Sequence, residues 1–194
     1  MAQLIRTYNN GQLEEIYFIN NNKKEGDIMQ YYDNGKLFSI CNYINGKREG
    51  EYKSYHPNGQ LNVIYNCVDD KKEGEYRSYY RNGELFSICN YINGKREGEY
   101  KSYHPNGQLS EICNYINDEL EGEYKSYHMD GQLNEICNFI NNNIDGEYKK
   151  YYHDMRLQKI CYYVNGKREG EYKSYHPNGQ LHEIFNYIND KKDN

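Results

Sequence analysis

The sequence predicts an all-β protein: an elongated antiparallel meander of about eight 24-residue β-hairpin repeats, laid out as a single twisted sheet. Three observations predict it. The stretch YINGKREGEYKSYHPNGQL runs from Tyr43 to Leu61, returns letter for letter from Tyr91 to Leu109, and recurs from Tyr163 to Leu181 with only Val164 changed. Gly26, Gly50, Gly74, Gly98, Gly122, Gly146 and Gly170 fall 24 residues apart without a slip. Each period also holds two corners of small polar residues, with β-type segments between them.

The corners come first. One is Asn58-Gly59, within HPNGQL; the other is Asn45-Gly46, which becomes Asp69-Asp70, Asn117-Asp118, Asn141-Asn142 or Asn189-Asp190 elsewhere. Gly, Asn and Asp tolerate positive φ, which a two-residue type I′ hairpin turn demands twice. Both corners are therefore expected to be such turns. The segments between them, such as EYKSYH and LSEICNYI, then read as about 16 strands. The repeats divide as 2–25, 26–49, 50–73, 74–97, 98–121, 122–145, 146–169 and 170–193, one repeat domain over 1–194.

Facing follows from the corners. A two-residue turn at Asn58-Gly59 sets Tyr52 opposite Tyr65, Ser54 opposite Val63 and His56 opposite Leu61. One face then carries the Tyr52, Leu61, Cys41, Cys89 and Tyr91 columns and is expected to be concave and better buried. The other carries Glu51, Lys53, Tyr55, Ile64, Asn66 and Val68. The corners leave strands of 11 and 9 residues. That mismatch calls for a bulge, at Gly50, or for a steady stagger.

Composition narrows the function. Apolar residues make up 37%, and 25 tyrosines argue against plain disorder. With a mean hydropathy of -1.17, stability must come from neighbour contacts between repeats instead of one large core. A net charge of -5 supplies no global basic field, so nucleic acid is not an expected partner. The start, MAQLIRTYNNGQ, lacks a charged-then-apolar signal pattern, so a cytoplasmic location is expected.

The pattern GEYKSYHPNGQL followed by YINGKREG resembles the MORN repeat, in the variant form of YwqK-type antitoxins and of giant-virus proteins. The Gly-x-Tyr start, the Asn-Gly-x-Leu corner and the Asn-Gly-Lys-x-x-Gly return all match, over nearly the whole chain. The resemblance implies an elongated hairpin array with roles in scaffolding, dimerisation and lipid contact. It also implies a host cytoplasm or virion setting if the chain is viral. Met155 in place of the corner glycine and the tyrosine-poor first strand QLIRTY depart from the pattern.

No catalytic, cofactor-binding or metal-binding residues are expected. Cys41, Cys89, Cys113, Cys137 and Cys161 share one column, with Cys67 two places further along. Equivalent positions in a hairpin meander lie about 9.6 Å apart, whereas a disulfide needs Cα atoms within about 7 Å. The cysteines read as small buried hydrophobes. Ser54 with His56, repeated at Ser102 and His104, Ser126 and His128, and Ser174 and His176, invites a nucleophile reading. Recurrence argues against it, because an active site is built once. The basic corners, such as Lys47-Arg48 and Lys167-Arg168, read as solvated turns or as a weak row for anionic lipid.

Breaks in the repeat carry the partner expectation. Leu120 and Ile144 stand where other repeats have a basic residue, and Met129 and Met155 replace Pro or Gly at the opposite corners. These four are candidate contacts for a protein partner. The expected function is a non-enzymatic interaction scaffold. The alternatives are an antitoxin that grips a toxin, and a peripheral lipid-binding module. The last strand, QLHEIFNYI, exposes an apolar edge that the tail NDKKDN or a second copy would cover, which makes a homodimer possible.

Overall fold

A computed structural model describes residues 2–193. Among them there are twenty strands and no helix. The excess over about 16 strands has a local cause. Three strands break just before the bulge glycine, as at Lys23–Lys24 and Gly26–Tyr31, and a short return, Lys191–Asp193, follows the last corner. The chain forms two compact units, Met1–Lys95 and Arg96–Asn194. Each is an antiparallel meander of hairpins.

The two corners differ. Asn45 and Gly46 have φ of 54° and 86°, so both central residues are left-handed, as a type I′ turn requires. Asp69 and Asp70 repeat this at 52° and 68°. At the other corner only Gly59 is left-handed, at 92°. Its N–H donates to the His56 carbonyl at 2.8 Å, and the His56 N–H donates to the Gln60 carbonyl at 2.8 Å. This is a three-residue loop, Pro57-Asn58-Gly59, in which a type I turn closes on a left-handed glycine. The Asn58 side chain accepts the Gln60 N–H at 3.1 Å.

The longer loop corrects the expected register. Ser54 faces Val63, but the next pair is Tyr55 with Leu61, not His56 with Leu61, and Asn62 bulges out between them. One bulged residue reverses the alternation of faces. The leucine column therefore lies with the isoleucine column, on the face opposite the cysteines. In the second unit Leu157, Ile160, Val164 and Tyr175 line one groove of about 580 Å³.

The expected bulge at Gly50 is present. Cys41 pairs with Tyr52 and Asn42 with Glu49, so Gly50 and Glu51 are extra. Gly50 has a φ of 79°, and a Cβ there would meet nothing within 4 Å. Backbone conformation, not crowding, selects glycine.

The cysteine–tyrosine face is the buried one. Cys41, Cys67 and Cys89 are 4%, 0% and 6% exposed. Tyr52 stacks on Tyr65 with centroids 4.7 Å apart, and Tyr65 on Tyr76 at 5.8 Å. In the second unit Cys137, Tyr148 and Cys161 form a core cluster flanked by Tyr124, Phe139, Ile144, Tyr163 and Tyr172. Tyrosine suits a sheet this thin, because its ring fills the face while its hydroxyl stays near water.

Candidate interaction surface

The repeats are fastened to one another at both corners. At the three-residue loop, His56 Nε2 lies 2.8 Å from the Tyr79 carbonyl, and His104 Nε2 lies 2.8 Å from that of Tyr127. Tyr8 and Tyr32 donate their hydroxyls to Tyr31 and Tyr55 carbonyls at 2.8 and 2.7 Å, and Tyr152 does the same to Tyr175. Asn58 and Asn106 add Nδ2 bonds to the carbonyls of Arg81 and Met129. At the two-residue turn the bond runs the other way: Asp70 N–H donates to the Arg48 carbonyl at 3.1 Å.

This assigns the Ser-Tyr-His steps. His56 is turned to the next repeat, while Ser54 faces inward and accepts from Asn62 Nδ2 at 3.3 Å. The two do not form a nucleophile and base. The position that histidine holds in some repeats and tyrosine in others is a donor slot: both rings place one hydrogen on a neighbouring carbonyl.

The basic corner column is also assigned. The Arg96 guanidinium lies 3.9 Å from the Tyr115 ring centroid, Arg168 lies 4.1 Å from that of Tyr187, and Lys24 sits over Tyr17 and Tyr43. Lys72 lies within 5.1 Å of three ring centroids. The second residue of each basic pair covers the aromatic face with its stem and cation, while the first, as at Lys47 and Lys167, stays solvated as expected. Ile144 occupies this column and packs on the core cluster. Leu120 is half-buried in the same column, its N–H on Asn142 Oδ1 at 2.7 Å. Both replace a cation by an apolar cover.

Met129 and Met155 are exposed, at 57% and 43%. Met155 holds φ 65°, a strained value for a side-chain-bearing residue. Between these two corners the His128 and His153 rings stack with centroids 3.8 Å apart, and His153 Nδ1 lies 3.3 Å from Asp130 Oδ2. The sequence reading missed this pair, because His153 falls outside the Ser-Tyr-His step.

The six cysteines are free and buried. Burial pushes the Cys41 thiol up to about 12, with the Cys67 thiol as the next cause. Burial likewise pushes Cys113 and Cys137 up to about 12. Such thiols are protonated at neutral pH and are poor nucleophiles.

The opposite face is open. Ile44, Val68 and Ile92 in the first unit are 49%, 44% and 48% exposed. Ile116, Ile140, Val164 and Ile188 in the second are 46%, 43%, 43% and 48% exposed. A Glu–Lys ladder accompanies them: Lys101 pairs with Glu99 and Lys173 with Glu171, each at 2.5 Å. Tyr162, 49% exposed, stands where most repeats have asparagine and adds its ring to the groove formed with Leu157 and Ile160.

Comparison with known proteins agrees with this geometry. The pattern described as a MORN repeat variant matches residues 24–45, 48–66, 72–93, 96–117, 120–141 and 168–189. No curated protein matches the chain. Among solved structures, the crystal structure of TcdB2-TccC3-TEV is similar at 14% identity with a TM-score of 0.23, covering 90% of this chain and 12% of that one. The Photorhabdus luminescens Tc holotoxin pore is similar at 14% identity with a TM-score of 0.22, covering 90% of this chain and 12% of that one. The chain spans about an eighth of these chains' length, and the likenesses carry no further weight.

Proposed function

Since the chain belongs to the MORN repeat variant family, we propose that it is a non-enzymatic scaffold that binds a protein partner along its open sheet face. The observation that carries this reading is the row of half-exposed aliphatic side chains recurring at every repeat from Ile44 to Ile188. Within each unit these solvent-facing apolar residues recur on one sheet face, which is a mark of an interaction surface. The Glu–Lys ladder beside the row gives it a polar border, as protein interfaces have.

An antitoxin-type role is the same reading with a toxin as the partner, and the identity of the bound protein distinguishes the two. The lipid reading is weaker. Lys47 is held by Asp69 at 2.9 Å, Arg48 by Asp70 at 3.1 Å and Arg168 by Asp190 at 2.9 Å. Other corner cations lie over tyrosine rings. The exposed lysines Lys23, Lys71, Lys95 and Lys167 are what is left to face a membrane.

Affinity capture from the native host tests the proposal. A variant carrying Ile116→Lys, Ile140→Lys and Val164→Lys is expected to keep its circular dichroism and lose the captured protein. Equal capture by the variant contradicts the proposal. Met129 and Met155 remain candidate partner contacts and are tested by the same assay. Leu120 and Ile144 are better tested by stability, given their packing.

A further inference from the structure

Among the described residues, the strand Leu181–Ile188 is paired on its outer side only at Asn186, Tyr187 and Ile188, by the return Lys191–Asp193. The rest of that edge is open, and Leu181 and Ile184 are 51% and 50% exposed. Strand Ala2–Thr7 is exposed along its whole length, with Ile5 at 62%. We propose that a second copy of this chain lays its Ala2–Thr7 strand antiparallel along the open Leu181–Phe185 edge.

The register follows from the hairpins within the chain. Lys159 pairs with Ser174 and Ile160 with Lys173, while the return Lys167–Glu169 takes Tyr162 to Val164. One period later, the return Lys191–Asp193 already fills the matching place and leaves Glu183 and Ile184 free to pair. The period runs without a break from residue 2 to residue 193, so Ala2–Thr7 of a second copy is in phase with that edge. Arg6 then stands opposite Glu183, and Ile5 opposite Ile184. Glu183 makes no ion pair among the described residues; Arg6 pairs with Glu15 at 2.5 Å and Glu14 at 3.6 Å, and its side chain, still 54% exposed, has donors left for a third carboxylate. An opposite-charge pair beside an apolar pair suits adjacent positions across two strands.

The corner groups point the same way. Asn58 and Asn106 reach forward to a carbonyl of the following repeat. Asn178, their equivalent, turns to Gln180 Oε1 on its own loop at 3.0 Å. His56 and His104 also reach forward, whereas the His176 ring rests against His182 with centroids 4.4 Å apart. In the proposed contact His176 meets the Thr7 carbonyl and Asn178 that of Asn9 in the second copy. Strand addition of this kind draws affinity from main-chain bonds and specificity from alternate side chains. The contact is head-to-tail, so it repeats from copy to copy instead of closing as a symmetric pair.

This deepens the scaffold reading by naming one partner, and the two fail separately. A chain that captures a host protein but does not self-associate defeats only the present inference. Sedimentation velocity of the 194-residue chain should show mass rising with concentration. Glu183→Arg, which opposes Arg6 with a like charge, should raise the concentration for half-association several-fold at unchanged circular dichroism. A mixture of an Ile5→Cys variant and an Ile184→Cys variant should cross-link under mild oxidation far more than either alone. A monomer at every concentration overturns the proposal, as does cross-linking of each variant with itself as readily as with the other.

Discussion

His104 shows what one side chain contributes to a repeat array. Its ring reaches the Tyr127 carbonyl in the next repeat at 2.8 Å, so it joins two hairpins instead of stabilising its own. A net hydrogen bond of this kind is worth about 1 kcal/mol. His104→Phe keeps the ring and removes the donor, and is expected to lower stability by about that amount in urea unfolding. His104→Tyr is expected to cost less, because Tyr8, Tyr32 and Tyr152 make the same bond from the same place. Equal losses for the two variants contradict the staple role. The exchange of His and Tyr was visible in the sequence, but packing alone explains it equally well there. Only the position of the carbonyl separates the two explanations, and that depends on how the corners fold.

At the scale of the element, the corners decide everything else. Asn45-Gly46 and Asn58-Gly59 are the same dipeptide, yet one makes a two-residue turn and the other a three-residue loop. The available signal was Pro57. Its fixed φ suits the first central position of a type I turn, which places Asn58 second and Gly59 in the left-handed position. Missing it moved the leucine column to the wrong face, although the Tyr52–Tyr65 and Ser54–Val63 pairs and the Gly50 bulge were legible. The basic column was misplaced for a related reason. Residues two places from a turn look solvated in sequence, but the hairpin pairs Arg48 with Tyr43 and so puts it on the tyrosine side. Among the described residues, Met155 marks the one three-residue corner where the left-handed position is not glycine, at φ 65°. Met155→Gly is expected to stabilise the protein by about 1 kcal/mol, read from the urea midpoint. A loss of stability on that substitution contradicts the assignment of strain.

At the scale of the molecule, the buried face of tyrosines and thiols in each unit sets the response to alkali. Burial raises Tyr115 and Tyr163 to about 12, alongside Cys113 and Cys137. In an unfolded chain these groups ionise near ~8.5 for cysteine and ~10 for tyrosine. The folded state holds their protons more tightly. Stability is therefore at its full value below about pH 8.5 and falls as pH rises through the folded values near 12. The melting temperature should decline across that window, with tyrosine ionisation and unfolding coinciding. A melting temperature flat through the window contradicts the burial of this face.

That contrast between a closed face and an open one underlies every functional statement here, and nitration of tyrosine read by peptide mass spectrometry tests it most directly. Tyr65, Tyr115, Tyr148 and Tyr187 are 5% to 9% exposed on the closed face, while Tyr162 on the open face is 49% exposed. Tyr162 is predicted to react first and those four last, in step with unfolding. Labelling of Tyr65, Tyr115, Tyr148 and Tyr187 as readily as Tyr162 in the folded protein would contradict the account.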